Sequence, residues 1–269
     1  MITAGIDIGS LSTEALIMQD GRILSYAIAK TGPKVKTVVK EVLDETLDMA
    51  SLSSGGIDYV VATGYGRVAL DIADRTVTEI TCHATGAYHL FPETRLVIDI
   101  GGQDSKVIQL DSRGKVVDFV MNDKCAAGTG RFLEVMADAL ELGIAEIGPL
   151  SLKSRKKVPI SSTCTVFAES EVISLIAEGC ERRDILRGLH EAIANRIIGM
   201  ASKLMWTGQV TMTGGVAKNT AIAHILRKKI PLPLNIPEEP QIVGALGAAL
   251  VAQKAVATRS MRAMMFSRT

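Results

Sequence analysis

The sequence is poor in several features that mark particular classes of protein. Its 269 residues include four cysteines, and no two of them form a C-x-x-C pair. We therefore expect no zinc ribbon, thioredoxin-like motif or ferredoxin-type cysteine run within the chain. Thirty Lys and Arg residues are balanced by 29 Asp and Glu residues, so the chain lacks the net positive charge that attracts nucleic acid. Nucleic acid is not expected as a partner.

Long apolar segments are also missing. The apolar runs are interrupted by Asp or Gly, as at residues 96–100, far short of the roughly 20 residues that cross a bilayer. We expect no membrane helix and no membrane partner, although the mean hydropathy is +0.25. The chain starts on a strand-like segment rather than on a basic and apolar leader, and this start favours a cytoplasmic protein.

What the sequence does contain is typical of a folded α/β protein. Hydrophobic residues make up 47% of the chain and charged residues 22%, and there are 24 glycines, which excludes disordered and fibrous classes. A chain of 269 residues is long enough for one large domain or two of ordinary size.

A local pattern near the N-terminus recurs in the middle of the chain. Residues 2–8 predict a strand that runs into an Asp-Ile-Gly loop, and residues 12–18 predict a second strand followed by a hairpin turn. The same order begins again at residue 96, with Asp99 following Asp7 by 92 residues. Two structurally similar halves are the economical explanation.

Helical spacing of apolar residues and capping signals predict helices after each copy of this pattern. The expected helices are residues 35–49 and 80–91, a helix opened by residues 122–130 and ended by Gly143, and then residues 166–179, 186–205, 219–229 and 243–257. We expect a first domain of residues 1–95, completed by the helix 242–257, a second domain of residues 96–241, and a tail of residues 258–269.

Each Asp-Ile-Gly loop is suited to bind phosphate. Backbone N–H groups and small hydroxyls surround an anion there, as at residues 10–13 and 101–103. Asp7 and Asp99 are our candidates for holding Mg²⁺ through water, and Asp99 or Gln103 for orienting the attacking water. Taken alone, each loop is more typical of an ordinary strand-to-turn junction.

A third glycine-rich segment, residues 213–219, runs from a strand into a helix start. Its two glycines allow close approach of the backbone to a nucleoside. We assign Gly214, Gly215 and Lys218 to cofactor binding. The three segments together, in this order, indicate a nucleotide site.

Cys125 and Cys164 each lie at the predicted first turn of a helix. The positive end of the helix dipole and its free N–H groups stabilise a thiolate there. A 4Fe-4S cluster needs four thiolates, and two copies of the chain would supply them. A zinc site shared by two chains fits the same count, and two buried cysteines at capped helix starts fit the local pattern.

The chain resembles the sugar kinase, Hsp70 and actin superfamily of ATPases, and within it the ATP-dependent activators of 2-hydroxyacyl-CoA dehydratases and the ATPase subunits of benzoyl-CoA reductases. The resemblance spans about residues 2–257. It rests on the motifs GIDIGSLSTEALI, VIDIGGQDSKVI, NDKCAAGTGRFLE, TCTVFAESEVISL, TGGVAKN and PQIVGALGAAL. It implies two ribonuclease H-like α/β subdomains, the actin-like ATPase fold, with a nucleotide cleft between them.

The resemblance also implies cofactors, partners and site residues. The expected nucleotide-binding residues, with the two loop glycines from the pattern above, are Ser10, Leu11, Ser12, Thr13, Glu14, Gly101, Gly102, Gln103, Gly214, Gly215 and Gln241. Cys125 and Cys164 would ligate one 4Fe-4S cluster per homodimer, alongside ATP or ADP and Mg²⁺. Electrons would arrive from a ferredoxin or flavodoxin and pass to an iron-sulfur dehydratase or reductase. An exposed cluster of this kind suits an anaerobic cell.

Two other functions share these loops. A sugar-type kinase uses the same fold but needs an acceptor pocket with a base, and usually an insertion in the first half, which is short here. A nucleotide sensor would keep the phosphate loops without the metal. The paired cysteines favour the electron-transfer ATPase.

Overall fold

The computed structural model describes residues 1–69, 71–156, 158–161 and 164–266. The chain divides into two compact units. The first comprises Met1–Pro92, Arg113–Val116 and Gln241–Thr269, and the second comprises Glu93–Ser112 and Val117–Pro240. The sequence did not predict that the short segment 113–116 belongs to the first unit. It does so because its turn glycine, Gly114, lies directly against the ring of Tyr88.

The first unit is built on a five-stranded sheet. Its strands are β1 (Ile2–Ile8), β2 (Ser12–Gln19), β3 (Arg22–Lys30), β4 (Tyr59–Thr63) and β5 (Arg75–Thr76). They lie in the order β3-β2-β1-β4-β5, with β1 antiparallel to β2 and parallel to β4. Asp20 and Gly21 both have positive φ in the β2–β3 turn, which is the conformation that a tight hairpin needs.

Three helices pack in this unit, namely α1 (Val35–Met49), α2 (Glu79–Leu90) and α8 (Val243–Phe266). The first half of α8 is rich in Gly and Ala, and it packs against β1, β4 and α2. A Cβ on Gly5 would overlap the backbone of Ala245, and a Cβ on Gly247 would overlap the carbonyl of Cys82. Small residues therefore let the backbones of these elements approach closely.

The end of α8 differs from the prediction. The helix continues past residue 257 to Phe266, because no Gly or Pro follows to stop it, whereas we expected a tail from residue 258. Residues 267–269 lie outside the described residues. The segment Pro240–Arg259 is long and apolar enough to cross a membrane, but 56% of it is buried inside the protein. A single helix of this kind is weak support for a membrane span, since core helices meet the same criterion.

The second unit repeats the architecture of the first. Its strands are β6 (Thr94–Ile100), β7 (Ser105–Leu110), β8 (Val116–Asn122), β9 (Gln209–Thr213) and β10 (Leu234–Asn235). They lie in the order β10-β9-β6-β7-β8, and β6 is antiparallel to β7 and parallel to β9. This order matches that of the first sheet strand for strand. The predicted α/β class with two similar halves is therefore confirmed.

Five helices complete the second unit, namely α3 (Gly130–Ala139), α4 (Ile144–Leu152), α5 (Thr165–Ala177), α6 (Arg182–Ala201) and α7 (Thr220–Lys229). The sequence predicted α5, α6 and α7 with shifted ends and missed α4. Gly143 does not end α3; it precedes α4, and its N–H donates to Glu146 at 2.7 Å. A carboxylate acceptor three residues after the first capping residue is a helix-start signal, and it marks Gly143 as the beginning of α4.

The start of α3 is a further correction. We expected residues 122–130 to open the helix, but the helix begins only at Gly130. Gly128 has a φ of +87°, which an α-helix does not accept, and Asn122 instead donates to two carbonyls of this segment. Residues 123–129, between β8 and α3, are therefore an ordered loop, which we call the cysteine loop because it carries Cys125.

Candidate nucleotide-binding site and cysteine loop

The first phosphate-type loop joins β1 to β2 and is closed by short hydrogen bonds. Gly9 donates its N–H to the Ser12 carbonyl at 2.9 Å. Thr31, at the end of β3, donates its hydroxyl to the Gly9 carbonyl at 2.8 Å and its N–H to the Leu11 carbonyl at 3.0 Å. The Thr31 hydroxyl also lies 2.9 Å from that of Thr13. Thr31 was not among the predicted site residues, and it holds the loop from the end of the neighbouring strand β3.

Asp7 lies in a narrow recess beside this loop. Its carboxylate is buried, and the imidazole Nε2 of His83 lies 3.6 Å from one of its oxygens. A Cβ on Gly64, at the end of β4, or on Gly244, in α8, would overlap the carboxylate. His83 was not among the predicted site residues, and it is buried next to the candidate magnesium residue.

Gln241 lies next to two residues of the first loop and strand. Its side-chain amide donates to the Ser12 hydroxyl at 2.9 Å and to the Glu14 carboxylate at 3.0 Å. Gln241 is far from Ser12 and Glu14 in sequence, and the fold brings these three predicted nucleotide residues together in the first unit. The buried carboxylates of Asp7 and Glu14 are oxygen donors of the type that Mg²⁺ prefers.

The second phosphate-type loop joins β6 to β7 and has its own aspartate, Asp99. The Thr213 hydroxyl donates to one oxygen of Asp99 at 2.9 Å, and the ammonium of Lys106 lies 3.3 Å from the other. Lys106 also lies 2.6 Å from Asp104, and Gly101 donates its N–H to the Asp104 carbonyl at 3.0 Å. Lys106 and Asp104 were not among the predicted site residues, although both stand in the quoted motif.

The third glycine-rich segment follows β9 and lies against the second loop. Gly214 has a φ of +83°, and a Cβ there would come within 2.8 Å of Asp99. Gly215–Lys218 form one short 3₁₀ turn before α7. Lys218 forms an ion pair with Glu239 at 2.9 Å. Gly101, Gly102, Gly214 and Gly215 thus lie in one unit with Asp99, and Gln103 is exposed on the same loop.

The two candidate metal-ligating cysteines differ in their surroundings. Cys164 is the exposed N-cap residue of α5, close to the predicted position. Cys125 is half-buried in the cysteine loop, five residues before α3, so the helix dipole argument fails for it. Its carbonyl accepts a hydrogen bond from the side-chain amide of Asn122 at 2.8 Å, and Arg196 of α6 donates to the side-chain oxygen Oδ1 of Asn122 at 3.2 Å.

The described residues offer these two candidate thiols, but no complete ligand set, for a metal cluster. Among the described residues, no group of three or more His, Cys, Asp and Glu side chains is placed to hold a metal ion. Two thiols per chain are half of the set that a 4Fe-4S cluster needs. Exposed apolar side chains, Val166 and Phe167, follow Cys164 directly on α5. Burial raises the pKa of the Cys82 thiol to about 12, which disfavours the thiolate form that a metal ligand needs.

The repeated sheets and their loops define the class of the protein, an ATPase with the fold of actin and the sugar kinases. The fold is also that of a glucokinase of the ROK family from Streptomyces griseus, with a TM-score of 0.56 over 94% of this chain and 100% of that one, at 17% identity. Residues 4–252 match the BadF/BadG/BcrA/BcrD ATPase family, and the chain belongs to that family.

Two relatives within this group are much more similar. The activator of lactoyl-CoA dehydratase from Anaerotignum propionicum is 45% identical over 95% of this chain and 98% of its own. The solved structure of the activator of the 2-hydroxyisocaproyl-CoA dehydratase from Clostridium difficile, with bound ADPNP, has a TM-score of 0.92 at 42% identity and covers 97% of this chain and 98% of that one. The predicted family, fold class and ATPase activity are confirmed.

Proposed function

We propose that this ATPase is an activator that couples ATP hydrolysis to low-potential electron transfer into a 2-hydroxyacyl-CoA dehydratase or a related acyl-CoA reductase. Its similarity to two dehydratase activators supports this choice of partner. The sugar kinase alternative is not favoured, because its support is a likeness of fold alone, at 17% identity.

One observation carries the coupling. The first two N–H groups of α3 donate to the second phosphate-type loop, Gly130 to the Gly101 carbonyl at 2.9 Å and Arg131 to the Gly102 carbonyl at 2.8 Å. The cysteine loop ends where these bonds begin. A change in the second phosphate-type loop on loss of the γ-phosphate would therefore reach Cys125 through five residues of ordered backbone.

Nucleotide binding is assigned to both loops. Residues 10–13 and 101–103 would donate N–H and hydroxyl groups to phosphate oxygens, and Gly214, Gly215 and Lys218 would lie at the nucleoside. Asp7 would hold Mg²⁺ through water, while Asp99 and Gln103 would orient the attacking water. When bound, Mg²⁺ neutralises charge on the phosphates.

Cys125 and Cys164 would together supply two ligands to a cluster that a second copy of the chain completes. When bound, the 4Fe-4S cluster supplies one-electron redox chemistry. A ferredoxin or flavodoxin is the proposed donor, an iron-sulfur enzyme the acceptor, and the cytoplasm of an anaerobic cell the proposed location. The acyl-CoA itself would bind to the partner enzyme.

The test is the metal content of anaerobically purified protein. Wild-type protein should contain about two iron atoms per chain in a dimer. Cys125→Ala and Cys164→Ala should each lose the iron, while the control Cys180→Ala retains it. Zinc in place of iron, or a colourless protein that phosphorylates a sugar, would overturn the proposal.

A further inference from the structure

Lys106 is an almost fully buried lysine beside a phosphate-type loop. It is 4% exposed, and its ammonium lies between two carboxylates, 3.3 Å from Asp99 and 2.6 Å from Asp104. We propose that Lys106 is a positioning residue for ATP hydrolysis that holds the Asp99 carboxylate in its working orientation. The inference rests on the role given above to Asp99.

Lys106 in the second half of the chain occupies the position that Glu14 occupies in the first half. Asp7 pairs with Glu14 across β1 and β2, and Asp99 pairs with Lys106 across β6 and β7. The surrounding residues match, since Thr63 pairs with Asp7 on the neighbouring parallel strand as Thr213 pairs with Asp99. A carboxylate in the first half is therefore replaced by an ammonium in the second.

This replacement separates the tasks of the two aspartates. In the first half, Asp7 and Glu14 place two buried carboxylates on neighbouring strands, an arrangement that favours a divalent cation. In the second half, the cation is built into the protein as Lys106, so Asp99 does not depend on a metal ion for its neighbouring positive charge. Asp99 is thereby suited to orient water rather than to bind Mg²⁺.

The geometry fixes both oxygens of Asp99. Thr213 donates to Oδ1 at 2.9 Å, and Lys106 donates to Oδ2 at 3.3 Å. A carboxylate whose two oxygens are both hydrogen-bonded cannot rotate freely. A water nucleophile is aligned by a hydrogen-bond acceptor that has a fixed orientation. Lys106 also connects Asp99 to Asp104, whose carbonyl closes the loop through Gly101.

The test separates catalysis from nucleotide binding in the 269-residue chain. Lys106→Met should lower kcat for ATP hydrolysis by about 100-fold, which is the typical loss when one group that stabilises charge in an active site is removed. The Kd for ADPNP should change by less than about threefold, because binding rests on the loop backbone. Lys106→Arg should restore much of kcat, since it retains the charge. The exposed Lys203→Met is the matched control.

Further variants distinguish the possible failures. Asp99→Asn should lower kcat as Lys106→Met does, and the double variant should fall no further, because the two residues act as one unit. A wild-type rate in Asp99→Asn would remove the role proposed for Asp99. If Asp99→Asn is strongly impaired but Lys106→Met keeps a kcat within twofold of wild type, the inference about Lys106 is overturned and the role of Asp99 stands. If Lys106→Met does not fold, Lys106→Met with Asp104→Asn removes the excess buried charge and takes its place under the same criteria.

Discussion

At the scale of single residues, His190 is the most strongly perturbed histidine in the described part of the chain. Burial lowers its pKa from 6.5 to about 4, and the charge of Arg187 adds to the effect. Its Nδ1 lies 2.7 Å from the Leu186 carbonyl, and its Nε2 lies 3.0 Å from the amide of Asn219. Asn219 in turn caps α7. A neutral imidazole is therefore part of the packing between α6 and α7.

This pKa has a consequence for stability. Between pH 6.5 and about 4 the unfolded chain binds a proton at His190 that the folded chain does not, so the free energy of unfolding falls as the pH is lowered. Urea titrations across this range should show that wild type loses up to about 3 kcal/mol more than His190→Gln. The control His224→Gln, at an exposed position, should behave as wild type. If the unfolding free energy fell equally with pH in wild type and His190→Gln, the lowered pKa assigned to His190 would be contradicted.

The residue scale also shows where sequence reasoning succeeds. Ser12, Glu14 and Gln241 were predicted from motifs far apart in the sequence, and the fold places their side chains in contact. Thr31 and His83 were missed as site residues because their roles depend on which strand or helix they face. Motifs record residues that stand together in sequence, whereas these two reach the site from separate elements.

At the scale of elements, the cysteine loop is fixed by side chains rather than by helix formation. Asn122 donates to the carbonyls of Cys125 and Ala127, Arg196 donates to Asn122, and the Thr129 hydroxyl donates to the carbonyl of Ala126 at 2.6 Å. The sequence alone indicated a helix start here, because Asn, Asp and Thr are cap residues. Side-chain hydrogen bonds to the loop compete with the helix and prevail.

Loss of this support should expose Cys125. In metal-free protein, Asn122→Ala or Arg196→Met should raise the alkylation rate of Cys125 by iodoacetamide several-fold, because opening of the loop no longer breaks these hydrogen bonds. Cys164, already exposed on α5, should react at its wild-type rate and serves as the internal control. Mass spectrometry of the two peptides gives both rates. An unchanged Cys125 rate in both variants would show that other contacts hold the loop.

The glycines of α8 offer a second test at this scale. Gly244→Ala places a methyl group against the carboxylate of Asp7 and within about 3.0 Å of His83. We expect a loss of about 1–3 kcal/mol in unfolding free energy from overpacking, together with weaker Mg-ATP binding. Gly199→Ala on α6 is the matched control, since nothing lies within 4 Å of its added Cβ. That variant should be about 0.5–1 kcal/mol more stable. If Gly244→Ala had the same unfolding free energy as wild type, α8 would have moved to accept the methyl group.

At the scale of the whole molecule, the internal repeat was the most informative feature of the sequence. A second Asp-Ile-Gly pattern 92 residues after the first predicted two structurally similar halves, and the two sheets have the same strand order. The membership of the segment 113–116 in the first unit was not predictable, because it depends on the contact of Gly114 with Tyr88. Local patterns report strands and turns, and such contacts between distant segments leave no periodic signal.

The proposed dimer makes a prediction for the apolar surface at the start of α5. Phe167 is 67% exposed and lies three residues after Cys164, where a second subunit would cover it if the two chains share a cluster. Phe167→Asp should therefore shift the protein from dimer to monomer in light scattering and lower its iron content, because a charge at a buried interface is costly. The residues proposed to bind nucleotide lie on other elements, so the Kd for ADPNP should remain near that of wild type.

Met205→Asp is the matched control for this experiment. Met205 is 66% exposed in the same unit, but it lies after α6 and far in sequence from either cluster cysteine. It should leave both the dimer and the iron content unchanged, since its position has no proposed partner. A dimeric Phe167→Asp with full iron content would place the subunit contact elsewhere. Loss of the dimer in both variants would point to misfolding or aggregation rather than to a specific interface. Circular dichroism would detect misfolding as a loss of helix content in either variant.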